Sequence, residues 1–244
     1  ARKFQARGDR INVQVISLQR TSQRKHGTER SLRLEKVSYT IVDAIDGLAE
    51  LNASHVKRYA GKKKQLYLAR TRSWTRLELS AAEKQYRDHA LKDDNLRKAL
   101  HERLRFGCFM SHVLVWQKLL ATNLAFFAVL EDDVTVVPNF AVKLNKLLSQ
   151  LPENWGLLYL NGSFRKLGEK YGTGLTQSRG GVGAFGYVIS ASAAEHFLKV
   201  AAVNSNRAID HVMDEEVLSG RIIAFHATPP LVHLISNLKS TLAY

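Results

Sequence analysis

Apolar and polar positions change period several times along the chain, and each change marks an element. Residues 11–18, INVQVISL, alternate and then run apolar, as a largely buried strand does. YTIVDAI (39–45) is a second, β-branched run, and the polar stretch between them carries apolar residues at helical spacing. The first 45 residues therefore predict strand, helix, strand, the opening of an α/β domain. The alternation then stops. Residues 48–105 hold few apolar runs, many charges and several helix formers, which predicts a basic helical insertion or lid.

After it, GCFMSHVLVWQKLLATN predicts a helix that starts at Gly107 and ends near Asn123. LAFFAVLEDDV reads as a nearly unbroken buried strand ending in carboxylates, and Pro138 and Asn139 open the amphipathic helix NFAVKLNKLLSQL. WGLLYLNG is a further strand, SFRKLGEKYGTGLTQSRG a Gly- and Lys-rich loop, GVGAFGYVIS a strand and ASAAEHFLKVAA a helix. RIIAFHATPPLV supplies a last strand. Residues 1–244 thus predict one α/β domain, a mixed, mostly parallel sheet flanked by helices, with the 48–105 insertion inside it.

Composition changes this picture in two ways. The single cysteine, Cys108, excludes an internal disulfide, which suggests a reducing compartment. No apolar run approaches the length of a bilayer span, and ARKFQARGDR lacks the apolar core of a signal peptide, so a cytoplasmic protein is expected. The formal charge of +14 asks for an anionic partner: nucleic acid, a phospholipid surface or an acidic substrate. From Lys57 to Arg105 there are fifteen Lys/Arg against six Asp/Glu, including Lys62, Lys63 and Lys64. Such a stretch is also what a plain solvated face looks like. The basic residues are not interleaved with stacking aromatics, which disfavours nucleic acid.

AVLEDDV (128–134) concentrates the chemistry. Acids at the C-terminal end of a buried strand lie where open α/β sheets bind ligands. An extended backbone would put Glu131 and Asp133 on one side and Asp132 on the other. Three adjacent carboxylates raise one another's pKa values, and a hard divalent cation, Mg²⁺ or Mn²⁺, relieves that. The alternative is an ordinary turn start or helix cap.

The ordered set VQVISLQRTSQR, VDAIDG, FGCFMSHVLVWQKLL, AVLEDDV, LLYLNG, GYVISASAAEHFL, IDHVM and PPLV resembles glycosyltransferase family 25, which includes lipooligosaccharide and collagen galactosyltransferases. The resemblance spans nearly the whole chain and implies a GT-A-like (Rossmann-like) fold. It departs at Arg105 and Phe106, where the family commonly has Gly-Glu, and 48–105 matches no family segment.

The resemblance implies an inverting transfer of a hexose, galactose first, from a UDP-sugar to a carbohydrate or glycolipid acceptor, with hydroxylysine in collagen as the other acceptor. Asp133 is then the first metal ligand, with Asp132 and Glu131 in the site. Asp210 is the expected base and Asp214 the second candidate; on a helix they share a face. His226 and His233 are candidates for a further metal ligand, although a lone histidine in an apolar strand is also an ordinary core residue. Arg20, Ser22 and Arg24 are expected to share a helix and meet the diphosphate or uracil, Asp43 and Asp46 to hold a ribose hydroxyl, and Gly47 to allow a tight turn. Gly107, Ser111 and His112 are expected at a helix start, facing a phosphate or sugar. The basic insertion and N-terminus would then lie on the inner face of an anionic membrane. Two other readings are a nucleic-acid-binding protein and a family member that binds a sugar nucleotide without turning it over.

Overall fold

Val13, Val15 and Ile16 alternate with Gln14 and Ser17 to give β1 (Val13–Ser17), buried along its whole length. It lies between two parallel partners, β2 (Tyr39–Asp43) and β3 (Phe126–Glu131). The computed structural model describes residues 11–21, 23–48, 53–60, 65, 68–69, 75–88, 90–163, 167–203 and 207–235. The expected crossover helix is α1 (Lys25–Leu34), which buries Thr28 and Leu32 and exposes its charged face. Beyond β2 come α2 (Ala53–Tyr59) and α3 (Arg76–Arg87). The second of these opens on a capping box in which Thr75 and Glu78 satisfy each other's backbone amides.

The helix α4 (Asp94–Leu120) runs unbroken for 27 residues. It starts where the Asp93 carboxylate accepts the Asn95 and Leu96 amides, and no proline interrupts it. Gly107 is therefore mid-helix and not a helix start. Its missing side chain serves packing instead: a Cβ there would lie 2.6 Å from the Ile45 carbonyl oxygen.

After β3 the chain makes β4 (Val134–Val136) and α5 (Phe140–Leu148). The remaining elements are β5 (Leu157–Tyr159), β6 (Leu167–Gly172), β7 (Leu175–Ser178), β8 (Gly186–Ser190), α6 (Ala191–Val203), α7 (Ile209–Leu218), β9 (Ala224–Ala227) and β10 (Val232–Leu234). The stretch expected to be one loop thus contains the β6–β7 hairpin, turned at Thr173–Gly174 with Gly174 at φ +81. β6 lacks a buried alternation because it is the sheet's exposed edge. The expected last strand splits: β9 joins the main sheet, and β10 leaves it to pair antiparallel with β4.

The main sheet has eight strands in the order β2-β1-β3-β8-β5-β9-β7-β6. It is mixed: six strands share one direction, while β8 and β7 run against them. Apolar side chains cover both faces. Phe127 and Val129 of β3 pack with α4, α6 and α7, and Ala128 and Leu130 pack with α1 and α5. A smaller cluster ties Leu79, Ala82 and Tyr86 of α3 to Leu100 and Leu104 of α4. Among the described residues, no helix is long and apolar enough to cross a membrane.

Candidate active site

The parallel strands β2, β1 and β3 end together, and a cleft of about 510 Å³, including its open mouth, lies at their carboxyl ends. Ile16, Leu18 and Ala44 give it apolar walls, and Ser111, His112, Glu131 and Asp132 give it polar ones. Glu131 continues the β3 face that packs on α4, as the alternation requires, and its carboxylate stops 3.6 Å from His112 Nε2.

The alternation ends there. Asp132 and Asp133 form a turn, held because Thr28 on α1 accepts the Val134 amide and donates to the Val134 carbonyl. The Ile235 amide also donates to the Asp133 carbonyl. Asp132 is consequently not turned away from Asp133: both meet Arg24, at 3.2 Å from Asp132 Oδ1 to Nε and 2.6 Å from Asp133 Oδ2 to Nη2. Ser17 donates to the other oxygen of Asp132.

Burial raises the Asp133 pKa to about 6, with help from the Glu131 charge and against the pull of Arg24. Burial also raises that of Asp132. Two carboxylates thus share one buried guanidinium with a third next to them in sequence, and Asp133 Oδ1 is buried with no hydrogen-bond partner. A set of carboxylate oxygens with one of them unmatched fits a hard divalent cation.

The expected helix over Arg20, Ser22 and Arg24 breaks in two. Gln19–Thr21 is a 3-10 turn and α1 begins at Lys25; Ser22 lies outside the described residues. Arg20 bonds Asp46 and Glu83 of α3, each at 2.9 Å, and so ties the β1 turn to the insertion. Asp43 ends β2 exposed, and Asp46 accepts the Leu48 amide. Gly47 is required by close packing: a Cβ would lie 2.1 Å from the Arg103 carbonyl oxygen.

Ser111 lines the cleft but is engaged, accepting the Ile45 amide and donating to the Gly107 carbonyl. The mid-helix position of Gly107, Ser111 and His112 removes the free amides that a helix start would offer a phosphate. His112 Nε2 instead has no hydrogen-bond partner. Its Nδ1 is 2.9 Å from Tyr187 Oη, which also receives a hydrogen bond from Trp116 Nε1.

Asp210 and Asp214 share one face of α7, as their spacing predicts. The Gly183 amide donates to Asp210 and the Gly181 amide to Asp214, while Asn161 donates to the Gly183 carbonyl from the other side. Asp214 is buried and Asp210 half-buried. Glu131, Asp210 and Asp133 all act electrostatically on Cys108, whose thiol pKa is pushed up mainly by burial and further by these three carboxylates. Acids of β3 and of α7 are thus both near Cys108, while Glu131 and Asp132 are the acids that line the cleft.

Neither late histidine joins them. His226 is buried, stacks on Tyr159 at 4.8 Å and bonds Ser178 Oγ, as a core histidine does. His233 is exposed on β10 opposite Thr135. Among the described residues, the three ligand atoms close enough together to hold a metal belong to Cys108, His112 and Glu131. The i, i+4 spacing of Cys108 and His112 on the expected helix was the signal for this pair, while Glu131 reaches it only through the fold.

The model of glycosyltransferase family 25 (LPS biosynthesis protein) matches residues 10–213. The chain belongs to glycosyltransferase family 25. This family 25 chain is 30% identical over 151 residues to inactive glycosyltransferase 25 family member 3 of Mus musculus, covering 61% of the chain and 21% of that relative. It is 28% identical over 149 residues to procollagen galactosyltransferase 2 of Mus musculus, covering 60% of the chain and 20% of the relative. It spans about a fifth of the length of these curated relatives. The crystal structure of a glycosyltransferase involved in glycosylation of the major capsid of PBCV-1 covers 95% of each chain with a TM-score of 0.44 and 10% identity. The family 25 assignment rests on the sequence match, and the fold description on the chain's own topology.

Proposed function

We propose that the chain is an inverting hexosyltransferase that moves galactose, first among hexoses, from a UDP-sugar to a carbohydrate or glycolipid acceptor. The observation that carries this reading is the acidic end of β3: Glu131 and Asp132 line the cleft at the carboxyl ends of the parallel strands, Asp133 shares Arg24 with Asp132, and Asp210 on α7 is near enough to act, as Glu131 and Asp133 do, on the cleft residue Cys108. Family membership and a relative named as a galactosyltransferase support the reaction type.

Asp133 and Asp132 would hold Mn²⁺ or Mg²⁺, which when bound offsets the charge that develops on a departing diphosphate. The chain's own groups do the rest. The apolar walls Ile16, Leu18 and Ala44 exclude water from one side of the cleft, and Glu131 is positioned to accept a hydroxyl from ribose or sugar. Asp210, fixed by the Gly183 amide, would take the proton of the acceptor hydroxyl as that oxygen attacks. Attack on the face opposite the leaving group inverts the anomeric centre.

The +14 charge supports work at an anionic membrane from its cytoplasmic side, each nearby Lys or Arg contributing about 1 kcal/mol. Arg24 favours a second reading, a sugar-nucleotide-binding member without turnover: its guanidinium already occupies both aspartates, and one relative is named inactive. UDP release from UDP-galactose and UDP-glucose, with and without Mn²⁺, separates the two. Metal-dependent release supports the transferase, and UDP-sugar binding without release supports the second reading.

A further inference from the structure

Cys108, His112 and Glu131 bring a sulfur, a nitrogen and an oxygen within 4.8 Å of one another. Cys108 and His112 are four apart on α4 and so stand on one face, a turn apart. Glu131 enters from the end of β3. All three are mounted on regular elements of the core layer, so the group does not depend on a loop.

His112 is 1% exposed, yet its Nε2 has no hydrogen-bond partner and points toward Glu131 Oε1 at 3.6 Å. A buried ring nitrogen without a partner is costly, and a ligand on Nε2 removes that cost. The other ring nitrogen is held at Tyr187 Oη, which Trp116 in turn fixes. Metal-binding histidines are commonly oriented through their second nitrogen in this way.

We propose that Cys108, His112 and Glu131 form a second cation site, separate from the aspartates, for a borderline-soft divalent ion of the zinc class. The oxygen-only set at Asp132 and Asp133 suits Mg²⁺ or Mn²⁺, whereas a thiolate, an imidazole and a carboxylate suit Zn²⁺. Bonds of about 2.0–2.3 Å in a tetrahedron set ligand atoms roughly 3.3–3.6 Å apart. His112 and Glu131 already stand at that spacing, and the sulfur lies within 4.8 Å of both. On binding, the Cys108 S–H proton is released to solvent and the sulfur's electron pair forms the bond to the ion, while His112 carries its ring proton on Nδ1 and donates it to Tyr187 Oη. The fourth position faces the cleft and takes water. The thiolate and Glu131 carry two negative charges, which the ion's two positive charges balance. The proposal concerns cation binding by the folded chain and does not rest on the transferase reading, although both place Glu131 in the same cleft.

The test uses the whole chain, stripped with a chelator, with Co²⁺ as probe and Zn²⁺ as competitor. Cys108 is the single cysteine, so a thiolate-to-cobalt charge-transfer band reports this site alone. One Co²⁺ per chain is expected to give the band, and equimolar Zn²⁺ to erase it where a hundredfold excess of Mg²⁺ does not. Cys108→Ser should abolish the band and weaken Zn²⁺ binding at least tenfold, and Asp133→Asn should leave both unchanged. His112→Gln should also weaken Zn²⁺ at least tenfold; if it does not fold, Glu131→Gln, at the cleft edge, takes its place with the same expectation. A wild-type chain without the band, unchanged Zn²⁺ affinity in Cys108→Ser, or loss of Zn²⁺ binding in Asp133→Asn overturns the proposal.

Discussion

Arg24 Nη2 lies 2.6 Å from Asp133 Oδ2, with both side chains about nine-tenths buried. The positive charge that the acidic triplet requires is thus supplied, in this state, by the chain itself. Removing one partner of a buried pair leaves the other uncompensated, at about 3–5 kcal/mol. Arg24→Ala should lower stability by about that amount in the absence of divalent ions. Added Mn²⁺ should restore part of it, read as the shift in urea midpoint with and without the metal.

Asp133→Asn tests the hard-cation reading. Loss of a charge that stabilises a leaving group typically costs about 10²–10³ in rate, and UDP release in Mn²⁺ should fall by that factor. Release at the wild-type rate would remove Asp133 from the mechanism.

Asp210 and Asp214 should separate by readout. Asp210→Asn is expected to lower kcat by about 10²–10⁴ while leaving UDP-sugar binding within a few-fold, as loss of a general base does. Asp214 is buried against the Gly181 amide, so Asp214→Ala should instead lower the melting temperature along with activity. Equal kcat in wild type and Asp210→Asn would rule Asp210 out as the base.

His226 sets an acid limit on stability. Burial lowers its pKa from 6.5 to about 4, so between these values the unfolded chain binds the proton that the folded chain refuses. The neutral ring's contribution is complete above about pH 6.5 and is lost as pH falls toward 4, up to about 3 kcal/mol in all. His226→Gln should flatten the wild-type decline across that window in urea melts at fixed ionic strength.

Gly107→Ala should be destabilising although alanine is the better helix former. Its Cβ would press on the Ile45 carbonyl and the Gly47 backbone, a contact that backbone must yield to. A loss of about 1–3 kcal/mol is expected, with weaker UDP-sugar binding because Ile45 and Gly47 line the cleft. Thermal melts with and without UDP-galactose would measure both.

The strands were legible where burial imposed an alternation, as in Val13–Ser17 and Phe126–Glu131, and the paired spacing of Asp210 and Asp214 correctly predicted a shared face. Position along an extended strand misled at Asp133, because the turn at Asp132 overrides the two-residue period and aims both acids at Arg24. Gly107 misled because a glycine that admits a neighbouring backbone looks, in one dimension, like a glycine at a helix start. The Arg20–Glu83 bond joins residues 63 positions apart, and no local pattern carries it.

The uninterrupted course of α4 bears on how this chain can be taken apart. Residue 105 was the edge of a predicted insertion, yet it falls inside a helix about 40 Å long whose first half packs on α3 and whose second half floors the cleft. Excising 48–105 would therefore cut a continuous structural beam, and a shortened variant designed on that border would lose the support of the cleft floor together with the excised segment.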